Sequence, residues 1–308
     1  MSGISLKKLI ESGSQKKHKI LLLGPNGQLG KSLKNQLEEF HELECVDKKK
    51  LDFLNPDNFS DILKKSKPSL VINAAAYTDV EGAESNENLA NQVNSEALKY
   101  ISSACEVLDL TLLHFSTDYV FDGNQNTPYL EVDKPNPLSI YGKSKLLGEK
   151  IISDNMENYM IFRTSGVISN NTNNFINKIM LAAETQKELR IVHDQITSLN
   201  HSDFLAQAIH KIIFSLEKER VNSLGEIYNL VGPSSGTWFE FSQFAQSICK
   251  HRNKPSKFAD ISIIPVTSEE MNFKANRPKY SHLSSDKIKK EFSLSIPNWE
   301  KSILEIFK

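Results

Sequence analysis

Gly24, Gly27 and Gly30 stand three residues apart, directly after the apolar run Lys19-Ile20-Leu21-Leu22-Leu23. They directly precede a stretch with helical spacing, Lys31 to Phe40, in which Leu33 and Leu37 share a face. This strand-loop-helix pattern restricts the fold more than any other feature of the chain. A short run without polar alternation suits a parallel strand covered on both faces. Glycines at this spacing permit a tight turn, let the backbone approach a pyrophosphate, and let the helix pack closely on the strand. The unpaired N–H groups at the helix start face the phosphates. Gly24, Asn26, Gly27, Gln28, Leu29 and Gly30 are therefore the first candidates for cofactor contact.

The pattern then repeats. A second strand is predicted over Glu42 to Asp47 and a helix over Pro56 to Lys67, with Phe59, Ile62 and Leu63 inward. Leu70-Val71-Ile72 reads as the next strand, Asn88 to Leu108 as a long helix, and Thr111 to Ser116 as another buried strand. Strands alternating with helices imply parallel pairing through right-handed crossovers. The expected fold class is α/β, a doubly wound parallel sheet with a smaller, interleaved C-terminal substrate domain. Residues 1–18 read as an N-terminal extension and 19–165 as the dinucleotide-binding domain, with a return to it around 190–216. Residues 166–189 and 217–308 form the substrate domain. Within these, Asn174 to Thr185, Ser202 to Leu216 and Trp238 to His251 read as helices, the last capped by Thr237. Asn170 to Asn174 is a polar loop, Arg190 to Val192 a strand returning to the sheet, and Glu226 to Leu230 a further strand.

Composition excludes several classes. Lysine and arginine number 37 against 38 acidic residues, a net charge of -1, which gives no whole-chain attraction to nucleic acid or to a membrane surface. No apolar run approaches the length of a membrane helix. Cys45, Cys105 and Cys249 are too few and too widely spaced for a zinc pattern or a disulfide framework, so no metal is expected and a reducing cytoplasm is the expected location.

Asp47, at the end of the second strand, stands where an acidic residue can hold an adenosine ribose. Lys48, Lys49 and Lys50 beside it suit the 2′-phosphate of NADP instead. The choice between NADH and NADPH stays open, leaning to NADPH; Asp52 can reach the adenine. Further along, Tyr141-Gly142-Lys143-Ser144-Lys145 places a phenol and an ammonium four residues apart, on one helix face. A free phenol titrates near ~10, and a neighbouring ammonium lowers that value. Tyr141 can then protonate an alkoxide as hydride reaches a carbonyl carbon, while Lys145 holds the nicotinamide ribose. Ser116-Thr117-Asp118 ends the preceding strand, and Thr117 offers a hydroxyl to the same carbonyl oxygen.

Asn73 to Val80, Ala83-Glu84-Ser85, Ser116 to Gly123, Tyr141 to Lys145, Gly148-Glu149 and Phe162-Arg163-Thr164-Ser165 together closely resemble the dTDP-4-dehydrorhamnose reductase family of extended short-chain dehydrogenases. The resemblance runs over most of the chain from Lys19, dense to Ser165 and patchy beyond. It implies NAD(P)H-dependent reduction of the 4-keto group of dTDP-4-dehydro-L-rhamnose, with Thr117, Tyr141 and Lys145 as the catalytic set. It also implies cofactor contacts from Ala74, Ala75, Ala76 and Tyr77, and a nucleotide-sugar partner near Asp118. Arg277, in Arg277-Pro278, can pair with its diphosphate. Tyr119 follows Asp118 where dehydratases carry Glu, which argues against water elimination and less strongly against an epimerase.

The chain departs from the family at several points. The family's Ser-Trp-Val-Tyr is here Ser165-Gly166-Val167-Ile168, implying a larger sugar pocket. The family's D-Q-x-G-x-P-T is here Asp194 to Asn200 without its Gly, Pro and Thr. Some members form homodimers through magnesium held by a Glu, and Ser32 takes that place. Trp238, which resembles the family's T-W, reads better as a partly buried core aromatic. Two alternatives stay open. One is a non-catalytic NADP-binding subunit, since the regulatory subunit of methionine adenosyltransferase resembles the same family. The other is a reductase or epimerase of a different sugar nucleotide.

Overall fold

The computed structural model describes residues 17–170, 174–218, 224–251 and 256–308. Most of the expected N-terminal extension and the centre of the loop expected at Asn170 to Asn174 lie outside the described residues.

The dinucleotide half begins with β1 (Lys19–Leu23), α1 (Gln28–Glu38) and β2 (Glu42–Val46), followed by α2 (Phe59–Ser66) and β3 (Leu70–Asn73). Next come α3 (Ala97–Val107), β4 (Thr111–Thr117), α4 (Ile140–Asn155) and β5 (Tyr159–Thr164). Beyond these lie α5 (Phe175–Ala182), β6 (Glu188–Val192), α6 (Ser202–Lys218) and β7 (Glu226–Asn229). The chain closes with α7 (Trp238–His251), β8 (Ser262–Val266), α8 (Asp286–Phe292) and α9 (Trp299–Ile306).

Six strands form one parallel sheet in the order β7-β5-β4-β3-β1-β2. The first strand shows why both faces must be covered. Ile20 and Leu22 pack into one core with Leu33 and Leu37 of α1, Leu205 and Ile209 of α6, and Phe292 of α8. Leu21 and Leu23 pack into the other with Leu98 and Ile101 of α3 and Ile152 of α4. All four are fully buried, each stabilising the fold by about 1.5–3 kcal/mol relative to exposure. The fold is thus the expected doubly wound α/β sheet. A third apolar cluster, with Ile176, Phe241, Phe258 and Ile303 at its centre, belongs to the C-terminal elements.

Three local readings change. The first helix starts at Gln28, inside the glycine loop, because the Lys31 N–H already donates to the Gly27 carbonyl at 3.0 Å, which makes Gly27 the N-cap. The strand at Arg190 to Val192 does not return to the main sheet. It lies in β6, which pairs in parallel with β8 as a separate ribbon. The strand that does return is β7, beside β5, although it falls within the stretch 217–308 read as substrate domain. Tyr228 explains this placement: it is fully buried in the first sheet core beside Phe162 and Phe292.

Candidate active site

The carboxyl ends of the parallel strands hold the candidate residues. Gly24 leaves β1 with φ at 75°, and a Cβ there would stand 2.7 Å from the Ala75 backbone. The turn therefore lies directly against the loop that leaves β3. At Gly30 a Cβ would overlap the Gly24 carbonyl oxygen, so the helix can approach the loop only without a side chain. Together the two loops line a cleft of about 490 Å3, with Gly24 to Gly27 and Ala74 to Tyr77 on its walls and Asp47, Lys48 and Asp52 at one end. The uncapped helix start and the close backbone approach fit a dinucleotide, with phosphate at the N–H groups of α1. Asp47 Oδ1 accepts the N–H groups of Lys49 and Lys50 at 3.1 and 3.2 Å, so the carboxylate also shapes the turn that presents the lysines. Asp52 Oδ1 accepts Leu54 N–H in the same way.

The catalytic candidates come from β4 and α4. Ser139 caps α4 by accepting Gly142 N–H at 3.1 Å, which fixes the first turn carrying Tyr141. Thr117 Oγ1 donates to Asp118 Oδ1 at 3.1 Å. Burial pushes the Tyr141 phenol up to about 12, and the nearby Thr117 hydroxyl moderates this. An ammonium-induced lowering by Lys145 is not what this geometry shows. Lys145 Nζ is turned inward, donating to the Phe115 carbonyl at 2.6 Å and lying 3.2 Å from His114 Nε2. Burial pushes Lys145 down to about 8, against the opposing pull of Glu149.

Asp118 is 3 % exposed, and both of its oxygens are taken. Ser281 donates to Oδ2 at 2.5 Å and Thr197 at 3.2 Å, while burial raises the carboxyl to about 6. Its carboxylate ties β4 to two C-terminal segments. Arg277 Nη2 binds Glu81 Oε1 at 2.7 Å and its guanidinium lies 4.1 Å above the Phe273 ring. Its Nε is buried without a partner.

The cleft wall thus leaves β3, and the hydroxyl, the phenol and the buried amine belong to the adjoining β4 and to α4. A family model described as the RmlD substrate binding domain matches residues 18–308. The chain belongs to the RmlD family. It is 32 % identical to the dTDP-4-dehydrorhamnose reductase of Shigella flexneri, over 91 % of this chain and 94 % of that protein. It is also 32 % identical to the spore coat polysaccharide biosynthesis protein SpsK of Bacillus subtilis, over 93 % and 96 %. Among solved structures, dTDP-4-dehydrorhamnose reductase from Bacillus anthracis in complex with NADP superimposes with a TM-score of 0.86. It shares 31 % identity and coverage of 95 % and 99 %.

Within this RmlD-family chain, the departures seen in the sequence have local explanations. The space that a side chain at Gly166 would enter is occupied: its Cβ would meet Leu199 Cδ1 at 2.9 Å, Ser198 O at 3.0 Å and Trp238 at 3.4 Å. Leu199 and Trp238 thus stand beside Gly166 in this chain. Trp238 packs against Phe175 and donates from Nε1 to Gln195 at 3.2 Å, a partly buried aromatic as expected. Ser32 binds Ser202 and Asp203.

Several groups around the site escaped sequence reasoning. Asn94 lies in a π-helical turn, Gln92–Glu96, between Glu87–Asn91 and α3. It binds Tyr77 N–H and C=O at 2.8 and 3.0 Å and donates to Ser144 at 3.0 Å, tying the cofactor wall to α4. A π turn inside a predicted helix is a recurrent mark of a functional position, but periodicity over 88–108 does not reveal it. Ser281, in Ser281-His282-Leu283, resembles the family's R-P-x-x-S-x-L, and Thr197 lies in the altered D-Q-x-G-x-P-T stretch, but their hydrogen bonds to Asp118, far away in sequence, were not legible.

Proposed function

We propose that this chain reduces the 4-keto group of a nucleotide-linked deoxysugar, converting dTDP-4-dehydro-L-rhamnose to dTDP-L-rhamnose with NADPH or NADH. What supports this reading is that Thr117 lies against Tyr141, while Lys145 is linked through His114 and Asn73 to Ala75 of the cleft wall, in a chain of the RmlD family. When bound, the reduced nicotinamide supplies the hydride. Gly24, Asn26, Gly27, Gln28, Leu29 and Gly30 would hold the pyrophosphate, Ala74 to Tyr77 the inner wall, and Asp47 and Asp52 the adenosine end. Lys48 at the cleft rim favours NADPH by offering charge to a 2′-phosphate.

Thr117 turns its hydroxyl from Asp118 to the keto oxygen. Tyr141 gives its phenolic proton to the developing alkoxide; as burial keeps the phenol protonated across the physiological range, it is poised as a general acid. Lys145 would hold the nicotinamide ribose and, as the ammonium, would return a proton to Tyr141, regaining its own from solvent. Asp118 accepts the Thr117 hydroxyl until it turns to the keto oxygen and keeps Oδ2 on Thr197 and Ser281, so it neighbours the sugar without a free oxygen for it, and Arg277, with its unpartnered Nε, would meet the diphosphate.

We further propose residues 19–165 as the body of the nucleotide domain, joined by β7, and the remaining C-terminal elements as the substrate domain. A cytoplasmic setting accords with Cys45, Cys105 and Cys249 forming no disulfide. A homodimer would form without a Glu at position 32. Stereospecifically deuterated NADPH tests the reading. It should leave one deuterium at sugar C4 and one NADP+ per product, whereas sugar conversion without net cofactor consumption would make the protein an epimerase instead.

A further inference from the structure

Behind Lys145 the protein buries a run of polar groups that hydride and proton delivery do not use. Asn73, His114 and Lys145 are 1 %, 1 % and 2 % exposed. Ala75 N–H donates to Asn73 Oδ1 at 3.0 Å. A backbone N–H can only donate, so this contact fixes the amide orientation. Asn73 Nδ2 therefore faces His114 Nδ1, at 3.1 Å, and donates to it. His114 Nδ1 must accept, and the single proton of the neutral ring lies on Nε2.

Nε2 is 3.2 Å from Lys145 Nζ. An ammonium would present only protons there, and N–H would face N–H. A free amine presents a lone pair, to which Nε2–H donates, while Nζ keeps a proton for the Phe115 carbonyl. An imidazolium fares worse, since Nδ1–H would then oppose the Asn73 amide protons. We propose that His114, oriented by Asn73, is a positioning residue for Lys145: its Nε2–H stabilises the free-amine form and thereby sets where the site passes between amine and ammonium.

The surrounding charges are compatible with this role. The charge acting on His114 is that of Lys145, and burial holds the imidazole well below its ordinary value. Glu149, on the same helix as Lys145, favours the ammonium, but its oxygens are engaged by Arg163 at 2.7 and 3.0 Å. Asp118 acts on Tyr141, and β3 contributes the uncharged Asn73. Because Asn73 also holds Ala75, one hydrogen-bonded chain runs from the cofactor wall to the lysine.

Two measurements test the proposal, and only the second rests on the reductase reading. In protein with 15N-labelled histidine at about pH 9, the His114 signals, assigned by their loss in His114→Gln, should report a proton on Nε2 and a bare Nδ1. A proton on Nδ1, or a charged ring, overturns the proposal whatever the enzyme's substrate. The second is the pH profile of kcat/KM for NADPH with the keto sugar. Activity should fall as pH rises through amine formation. In His114→Leu that limb should move up by about one pH unit, the loss of one neutral hydrogen bond. His114→Gln, whose amide N–H stands near the place of Nε2, should return it toward the wild-type position. A limb that stays in place in folded His114→Leu, with only the rate lowered, makes the histidine a packing residue and overturns the proposal. If His114→Leu does not fold, the ring proton and the glutamine profile decide.

Discussion

Gly30 has no room for a methyl group, because its Cβ would overlap the Gly24 carbonyl. Gly30→Ala should push α1 away from the loop at a cost of about 1–3 kcal/mol. The loss should fall chiefly on NADPH binding, weakening it roughly tenfold or more in a fluorescence titration. Unchanged affinity would mean that the helix start does not hold the phosphates. Gly166 is crowded for another reason, since Leu199 and Trp238 occupy its side-chain direction. Restoring the family's tryptophan by Gly166→Trp should therefore destabilise the fold by about 1–3 kcal/mol in urea unfolding, unless Leu199 is made smaller as well. At this scale the glycine loop and the Tyr141–Lys145 spacing were legible because each is a local pattern with its own chemistry. The crowding at Gly166 was not, because it depends on Leu199 and Trp238, far along the chain. The direction of Lys145 Nζ was equally hidden, as spacing on a helix gives a face and not a hydrogen-bond partner.

Helix α4 works as one part. Tyr141, Lys145 and Glu149 recur every fourth residue: the first lies by the Thr117 hydroxyl, the second meets the buried histidine, and the third anchors the helix. Glu149 meets Arg163 of β5 in a pair whose side chains are each 3 % exposed, with Arg163 also donating to the Glu131 carbonyl. Removing one partner of such a pair leaves a buried charge without its counter-charge, at a cost of about 3–5 kcal/mol. Glu149→Gln should therefore lower the thermal midpoint clearly, and a variant as stable as the wild type would contradict this anchoring. Element kinds along the first half followed from apolar runs and helical spacing. Element partners did not: β6 and β7 are both short apolar strands, and only the packing of Tyr228 places β7 in the main sheet while β6 pairs with β8.

Over the whole molecule, several imidazoles are buried in neutral form. Burial, with His210 and His18 nearby, pushes His41 down to about 4, and His114, His210 and His282 are also lowered by burial. Below the ordinary value near ~6.5, the unfolded chain takes up protons that the folded protein refuses. Stability must then fall as pH drops from about 6.5 toward 4. Asp118 works against this trend between its ordinary range and about 6, because its carboxyl holds a proton longer when folded. Thermal midpoints should decrease from pH 7 to pH 5, with a shallower slope in His41→Phe; an unchanged slope would remove His41 from the account. If Thr117, Tyr141 and Lys145 form a working reductase site on this fold, the purified protein should oxidise NADPH when given dTDP-4-dehydro-L-rhamnose, measured beside Tyr141→Phe. Turnover by the wild type, reduced about 100-fold or more in the variant while NADPH binding is kept, is the predicted result. NADPH binding without turnover, or equal turnover by both proteins, would contradict it.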